Sequence, residues 1–193
     1  VASMEDQHVA VLQYTIQPLN YEGRISVRMG LDGDIINDGV ARYRQLDQHH
    51  LEPVEEGGNG QVQYLLVKTN QSVVEIGLAC KMRILLDQVE QDFEMDHHTS
   101  PGKVDSETTM EVSEGQALSI EKLVSLYTSR ESGTGMVLEQ ARVKLDQLDS
   151  FQQVQAGSAR AWNEIWNKTD IQVEGDRFAQ KMLRMHTYHL MVT

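Results

Sequence analysis

The sequence predicts a mainly β body followed by C-terminal helices. The strongest sign is Ser72 to Asp87, where Val74, Ile76, Leu78, Cys80, Met82, Ile84 and Leu86 fall on one face. Alternation with period two marks a strand with one buried side. From Met136 the period changes, because Leu138, Ala141, Leu145 and Leu148 recur three or four apart, the spacing of one helix face. A third sign is the segment Ala161 to Asp176, AWNEIWNKTDIQVEGD, which interrupts the helical pattern once before it restarts. Trp162 and Trp166, the only tryptophans, stand four apart and share a helix face.

The strands follow in order. At residues 8–16, His8, Ala10, Leu12, Tyr14 and Ile16 alternate with Val9, Val11, Gln13 and Thr15, which predicts a strand with one face inward. Pro18 ends it, since proline cannot donate to a ladder. Gly23 to Leu31 places Ile25, Val27, Met29 and Leu31 together. The link Leu19 to Glu22 has the length of a hairpin loop. Ile35 to Glu56 shows weak periodicity and reads as a long excursion with one short strand at most. Gly57-Gly58-Asn59-Gly60 reads as a loop tip before a strand from Gln61 to Thr69, and Asn70-Gln71 as a tight turn. The length of the Ser72–Asp87 strand exceeds the usual ~5–6 residues and suggests a large two-layer sandwich. Asp87 to Gly115 is polar and carries a loop, HHTSPGK, and Ala117 to Arg130 resumes alternation.

Glu131 to Gly135 marks the change to helix. Ser150 is placed to cap a second helix through Phe151, Val154, Ser158, Trp162, Ile165 and Trp166. Asp176 is placed to cap a third, carrying Phe178, Met182, Met185, His189 and Leu190.

Composition narrows the function. A chain of 193 residues can bury about 70% of its unfolded surface without covalent staples. Its one cysteine excludes an internal disulfide and points to a reducing, cytoplasmic setting. The net charge of −12 opposes binding to nucleic acid or anionic lipid. No apolar run reaches the ~18 residues of a membrane span, and VASMEDQHVA lacks the charged and apolar regions of a signal peptide.

Candidate chemistry is sparse. His97-His98 follow Asp92, Glu94 and Asp96, but the spacing matches no closed metal site, and a solvated acidic loop accounts for it. His186 and His189 lie one helical turn apart without the third ligand or glutamate of a zinc-protease motif. His49-His50 lie in a polar stretch. Cys80, on an apolar strand face, behaves as a small hydrophobe. The clusters GGNG and SGTG lack the rest of a phosphate or dinucleotide fingerprint. Nothing pairs two carboxylates as a glycosidase requires. The two tryptophans could stack on a sugar, although helix packing is the simpler use. No catalytic, cofactor-binding or metal-binding residue is therefore predicted, and no cofactor.

Three blocks, LQYTIQPLNYEGRISVRMGLDG, LSIEKLVSLYTSRE and AWNEIWNKTDIQVEGDRFAQKMLRMHTYHL, together resemble glycoside hydrolase family 65. That family holds maltose, trehalose and kojibiose phosphorylases and some hydrolases. The resemblance implies a galactose-mutarotase-like β-sandwich (a supersandwich), then linker helices, then an (α/α)6 catalytic barrel. It implies residues 1–132 as the later part of the sandwich with its first strands missing. It implies 133–170 as linker and 171–193 as the start of the barrel. The family's general acid and phosphate-binding loop lie in the barrel, so no residue here carries either role. On this reading the chain is a non-catalytic portion of an enzyme that acts on α-glucosidic disaccharides with phosphate or water. Its partner is then the catalytic barrel of that enzyme, or another copy of itself. A stand-alone carbohydrate-binding or interaction sandwich is the alternative. The Ser72–Asp87 strand and the helix after Asp176 are expected to leave apolar surface uncovered.

Overall fold

The structure, a computed structural model, describes residues 1–36, 49–132 and 136–192. Among these, nine strands form two antiparallel sheets. The larger runs in the order β1 (Val9–Ile16), β9 (Leu118–Thr128), β5 (Glu75–Leu86), β4 (Val62–Thr69), β3 (Leu51–Asn59), with β6 (Val89–Glu90) paired to the end of β5. The smaller runs β2 (Gly23–Asp32), β8 (Lys103–Val112), β7 (Asp96–Ser100). Four helices follow: α1 (Ser129–Ser132), α2 (Val137–Asp146), α3 (Phe151–Thr169) and α4 (Arg177–Val192).

β5 is the central strand and both its faces are covered. On one side Cys80, Met82 and Ile84 pack with Val27, Met29 and Leu31 of β2 and Val104 of β8, forming the core between the sheets. On the other, Ala79 packs with Ala141 and Leu145 of α2 and Val154 of α3. Small residues allow this second contact. A Cβ on Gly77 would lie 2.9 Å from the backbone of Val137 and Leu138, so α2 sits directly on the strand. The expected uncovered face on Ser72–Asp87 is thus not found: Cys80, Met82 and Ile84 are buried under the smaller sheet.

Three other expectations are corrected. The short link after β1 does not close a hairpin, because β1 pairs with β9 and β2 with β8. The link instead carries the chain from one sheet to the other, and its length alone cannot distinguish the two. Gly57, Gly58 and Asn59 are not a loop tip but the end of β3, opposite Tyr64, Gln63 and Val62. Gly60 alone takes the left-handed conformation of the turn, with φ +57°. The polar stretch after Asp87 is mostly sheet, with β7 and β8 joined by a tight turn at Pro101-Gly102. The excursion expected over 35–56 partly lies outside the described residues; its last part is β3, an edge strand whose bulge follows Pro53.

The helix starts agree with their sequences. Ser150 Oγ accepts from the Gln153 N–H at 3.1 Å, and Asp176 Oδ1 accepts from Phe178 and Ala179 at 2.9 and 3.0 Å. Each side chain satisfies N–H groups that the first helical turn leaves without an internal partner.

Candidate functional site

Polar or exposed aromatic groups gather at several places among the described residues, three of which are extensive. The first is a hydrogen-bonded line through the core. His97 on β7 bonds through Nε2 to the Gly60 carbonyl at 3.0 Å and through Nδ1 to Ser106 Oγ at 2.5 Å. A carbonyl only accepts, so Nε2 carries the proton, and in the neutral ring Nδ1 accepts from the Ser106 hydroxyl. Ser106 in turn accepts from Gln63 Nε2, which also donates to the Met29 carbonyl at 3.0 Å. Gln63 Oε1 accepts from the Cys80 thiol at 3.5 Å. Ser106 and Gln63 have no exposed surface, so this line joins the two sheets and is closed to a substrate.

The second is an ion-pair cluster on the opposite face of β5. Arg83 reaches Glu121 of β9 at 2.6 Å and Glu90 of β6 at 2.7 Å. The hydrogen bonds it donates to Glu90 hold the guanidinium pKa above its ordinary value, against a lowering by burial and with further help from the Glu121 charge. Glu121 also accepts from the Phe151 N–H at 3.1 Å. It therefore anchors the first turn of α3, where a carboxylate complements the helix dipole.

The third is the surface where the N-terminal segment meets α3 and α4. Val1 and Val11 exchange backbone hydrogen bonds of 2.6 and 2.8 Å, and Met4 N–H donates to Ser158 Oγ of α3 at 3.2 Å. A groove of ≈ 850 Å³ lies beside this segment, with Met4, Ser158, Trp162, Tyr188 and Met191 among its walls. Trp162 stacks on Trp166 at 5.7 Å between centroids and on Tyr188 of α4 at 5.2 Å. The tryptophans thus pack on each other, as helix spacing implied, and Trp162 packs on the next helix as well. Arg184 of α4 grips Asp170 with two bonds of 2.8 and 2.6 Å. The Arg184 hydrogen bond holds the Asp170 carboxyl below its ordinary pKa. Gln180 ties α4 to the preceding loop through Ile171 and Val173.

The remaining candidates do not converge. His97 and His98 are strand residues of β7 rather than loop residues, opposite Ser106 and Asp105. His49 lies 3.4 Å from Asp34, far along the chain from His186 and His189 on α4. Among the described residues no group of three or more His, Cys, Asp or Glu could hold a metal ion. Most of the cluster SGTG lies outside the described residues. Burial pushes the Cys80 thiol pKa up to about 11. Sequence reading missed the His97–Ser106–Gln63 line and the Arg83–Glu121 pair, because their partners are distant in the chain.

The model of the glycosyl hydrolase family 65 N-terminal domain matches residues 1–165. The chain belongs to glycosyl hydrolase family 65. Family 65 relatives align along nearly all of it. An uncharacterised glycosyl hydrolase of Mycobacterium tuberculosis is 28% identical over 100% of this chain and 14% of its own length. A kojibiose phosphorylase of Halothermothrix orenii is 26% identical over 97% of this chain and 24% of its own. An α,α-trehalose phosphorylase of Thermoanaerobacter brockii is 24% identical over 99% and 25%. The chain therefore spans about a seventh to a quarter of the length of these relatives. The fold agrees: a solved structure described provisionally as a kojibiose phosphorylase from human microbiome superposes with a TM-score of 0.77 at 16% identity, covering 95% of this chain and 23% of that one. This family 65 domain is mainly β, with two antiparallel sheets and C-terminal helices. Among its described residues no helix is long and apolar enough to cross a membrane.

Proposed function

We propose that this chain is the non-catalytic N-terminal and linker portion of a larger family 65 enzyme, a phosphorylase or hydrolase of α-glucosidic disaccharides. Residues 1–132 are part of a galactose-mutarotase-like supersandwich, 133–170 are linker, and 171–193 begin an (α/α)6 catalytic barrel. The observation that supports this best is α4. Its sequence is amphipathic, yet it buries no residue, and Phe178 and Leu190 are 73% and 77% exposed. An apolar helix face in water is unfavourable unless something covers it. A helical body joined to α4 supplies that cover. The relatives' lengths leave room for it, and their names, kojibiose and trehalose phosphorylase, supply the substrate class.

The alternative of a free-standing carbohydrate-binding module needs an aromatic platform open to a sugar. Trp162 spends its ring on Trp166 and Tyr188 instead. A cytoplasmic setting suits a single buried thiol.

The test is direct. The 193-residue chain is incubated with maltose, trehalose and kojibiose, with and without phosphate, and released glucose is assayed. No turnover above buffer is expected from the chain, and turnover is expected from the longer polypeptide that carries it. Glucose release by the chain alone would overturn the proposal.

A further inference from the structure

Beside the C-terminal half of α2 a hollow of ≈ 380 Å³ opens over the hairpin of β3 and β4. Its walls include Asn59 of β3, Val62 and Tyr64 of β4, and Arg142, Leu145 and Asp146 of α2. The register explains the strand side. Asn59 pairs with Val62 and Gly57 with Tyr64, so these positions share the face that α2 covers. A Cβ on Gly57 would collide with the ring and hydroxyl of Tyr64, so glycine there lets the ring lie over the β3 backbone. Helix spacing explains the other side. Arg142 and Asp146 stand four apart and flank the buried Leu138, Ala141 and Leu145.

The polar groups around this hollow are not spent on one another. The Arg142 guanidinium lies over the Tyr64 ring, 4.0 Å from its centroid. The ring takes one face of the cation and leaves its in-plane N–H groups free. Glu55 stands 3.7 Å away, beyond hydrogen-bond length. Among the described residues the Asn59 amide, the Tyr64 hydroxyl and the Asp146 carboxylate have no hydrogen-bond partner.

We propose that this hollow binds a sugar, the pyranose ring of an α-glucoside. Arg142 donates, Asp146 accepts, and Asn59 and Tyr64 do both. A ligand rich in hydroxyls satisfies all four, because each hydroxyl donates and accepts. Val62 and Leu145 give the C–H face of the ring an apolar wall, the usual complement to a few placed polar groups. A phosphate or carboxylate fits less well, because Asp146 and the chain's net charge of −12 repel it. The site is unlike the open aromatic platform of a free-standing module: Arg142 covers the Tyr64 ring, and recognition runs through hydrogen bonds. The choice of an α-glucoside rests on the reading of the chain as part of an enzyme of α-glucosidic disaccharides; the hollow itself does not.

Titration of the 193-residue chain with maltose, trehalose, galactose and, separately, phosphate tests this through backbone amide shifts. Maltose and trehalose should move the amides of residues 57–64 and 141–146 along saturation curves. Asp146→Ala, at an exposed position, should weaken that binding about tenfold or more, the loss of a hydrogen bond to a charged group. Its denaturant midpoint should stay at the parent value, which separates a lost ligand contact from a lost fold. Arg142→Lys keeps the charge but loses the planar fork, and should weaken binding as well. No saturable shift in these segments with any sugar would overturn the proposal. So would the same shifts with phosphate, which would make this an anion site, or sugar shifts unchanged in Asp146→Ala, which would put the sugar elsewhere. Binding of galactose but of neither glucoside would overturn the α-glucoside assignment. A longer polypeptide that fails to release glucose overturns the proposed function and leaves these titrations as they are, so the two fail separately.

Discussion

Arg83 Nη1 donates to Glu121 Oε2 at 2.6 Å, and the carboxylate it meets has no exposed surface. Removing the cation leaves a buried charge with only Gln13, at 3.4 Å, and the Phe151 N–H for company. Breaking a buried pair from one side typically costs about 3–5 kcal/mol, whereas replacing both partners with apolar groups can be neutral. Arg83→Met is therefore expected to lower unfolding stability by ~3 kcal/mol or more, and Arg83→Met with Glu121→Leu by distinctly less. Denaturant unfolding of both variants measures this. Equal losses would show that the pair does not act as a unit.

Gly77 faces the start of α2 rather than a side chain. The added Cβ of Gly77→Ala would sit 2.9 Å from the Val137 carbonyl carbon and from the Leu138 nitrogen, which move only if the helix moves. Overpacking of this kind costs roughly 1–3 kcal/mol. A lower melting temperature is expected for the variant. An unchanged one would mean that α2 rests on β5 more loosely than the structure shows.

Much of this arrangement was legible in the sequence, and the failures have particular causes. β5 and β2 alternate cleanly because one face of each meets the core between the sheets. β8 was not read as a strand because its inward side carries Ser106 and Thr108 beside Val104, Met110 and Val112, which breaks the apolar period. Those two polar side chains point inward all the same, and for Ser106 the reason is the Gln63 and His97 partners supplied by other strands. β3 was missed because it is an edge strand of glutamates, glycines and a proline, stabilised by its ladder to β4 rather than by burial. The hairpin error after β1 has a different origin: four linking residues fit either a return within one sheet or a step to the other. An exposed strip was expected on the most apolar strand, yet it lies on β1, where Leu12 and Tyr14 are 57% and 62% exposed. Exposure depends on where the opposing sheet ends, which no local pattern encodes.

Burial makes Cys80 inert. With its thiol pKa raised to about 11, almost no nucleophilic thiolate exists near neutral pH. A thiol reagent should label Cys80 only after denaturant is added. Rapid labelling of the folded chain would show that the core opens at β5.

The hydrogen bonds to Ser106 and Gly60 fix the ring chemistry of His97. Nitrogen shifts of the neutral His97 ring in the folded protein should show the proton on Nε2, facing Gly60, with Nδ1 bare. A proton on Nδ1 would reverse the bond with Ser106 and leave the Gly60 carbonyl without a donor from the ring.

Acid should destabilise the fold through its depressed carboxylates, which besides Asp170 are Asp6 and Glu90. Burial pushes the Asp6 pKa up, but the Lys144 ammonium at 2.8 Å and the His8 N–H outweigh it and hold the group low. Hydrogen bonds from Arg83 hold Glu90 low as well. Each folded pKa lies below its unfolded value, so the unfolded chain binds more protons in acid. Their stabilisation is complete above the ordinary carboxylate range of about 4 and is lost as pH falls through the depressed folded values. The urea midpoint should be flat from about pH 7 to 5 and then drop. Glu90→Gln should drop less steeply, and a parallel decline in the variant would remove Glu90 from the account.

The attachment of α4 to the rest of the chain rests on few contacts, and Trp162 is the central one. Its ring lies between Trp166 of its own helix and Tyr188 of α4, while the Arg184–Asp170 pair is largely solvent-exposed on the arginine side. An exposed ion pair contributes little, so the aromatic contact should dominate. Stacked pairs are worth about 0.5–1.5 kcal/mol beyond area burial. A double-mutant cycle on Trp162→Ala and Tyr188→Ala should return a coupling of roughly that size. Trp166→Ala should cost less than Trp162→Ala, because Trp166 stacks on one ring and Trp162 on two. Protease sensitivity of the Ile171–Asp176 loop should rise in Trp162→Ala, since losing the stack frees α4 to move as a unit. Equal sensitivity in the parent chain and the variant, together with a coupling near zero, would place the hold on α4 elsewhere, in the Gln180 bonds to Ile171 and Val173.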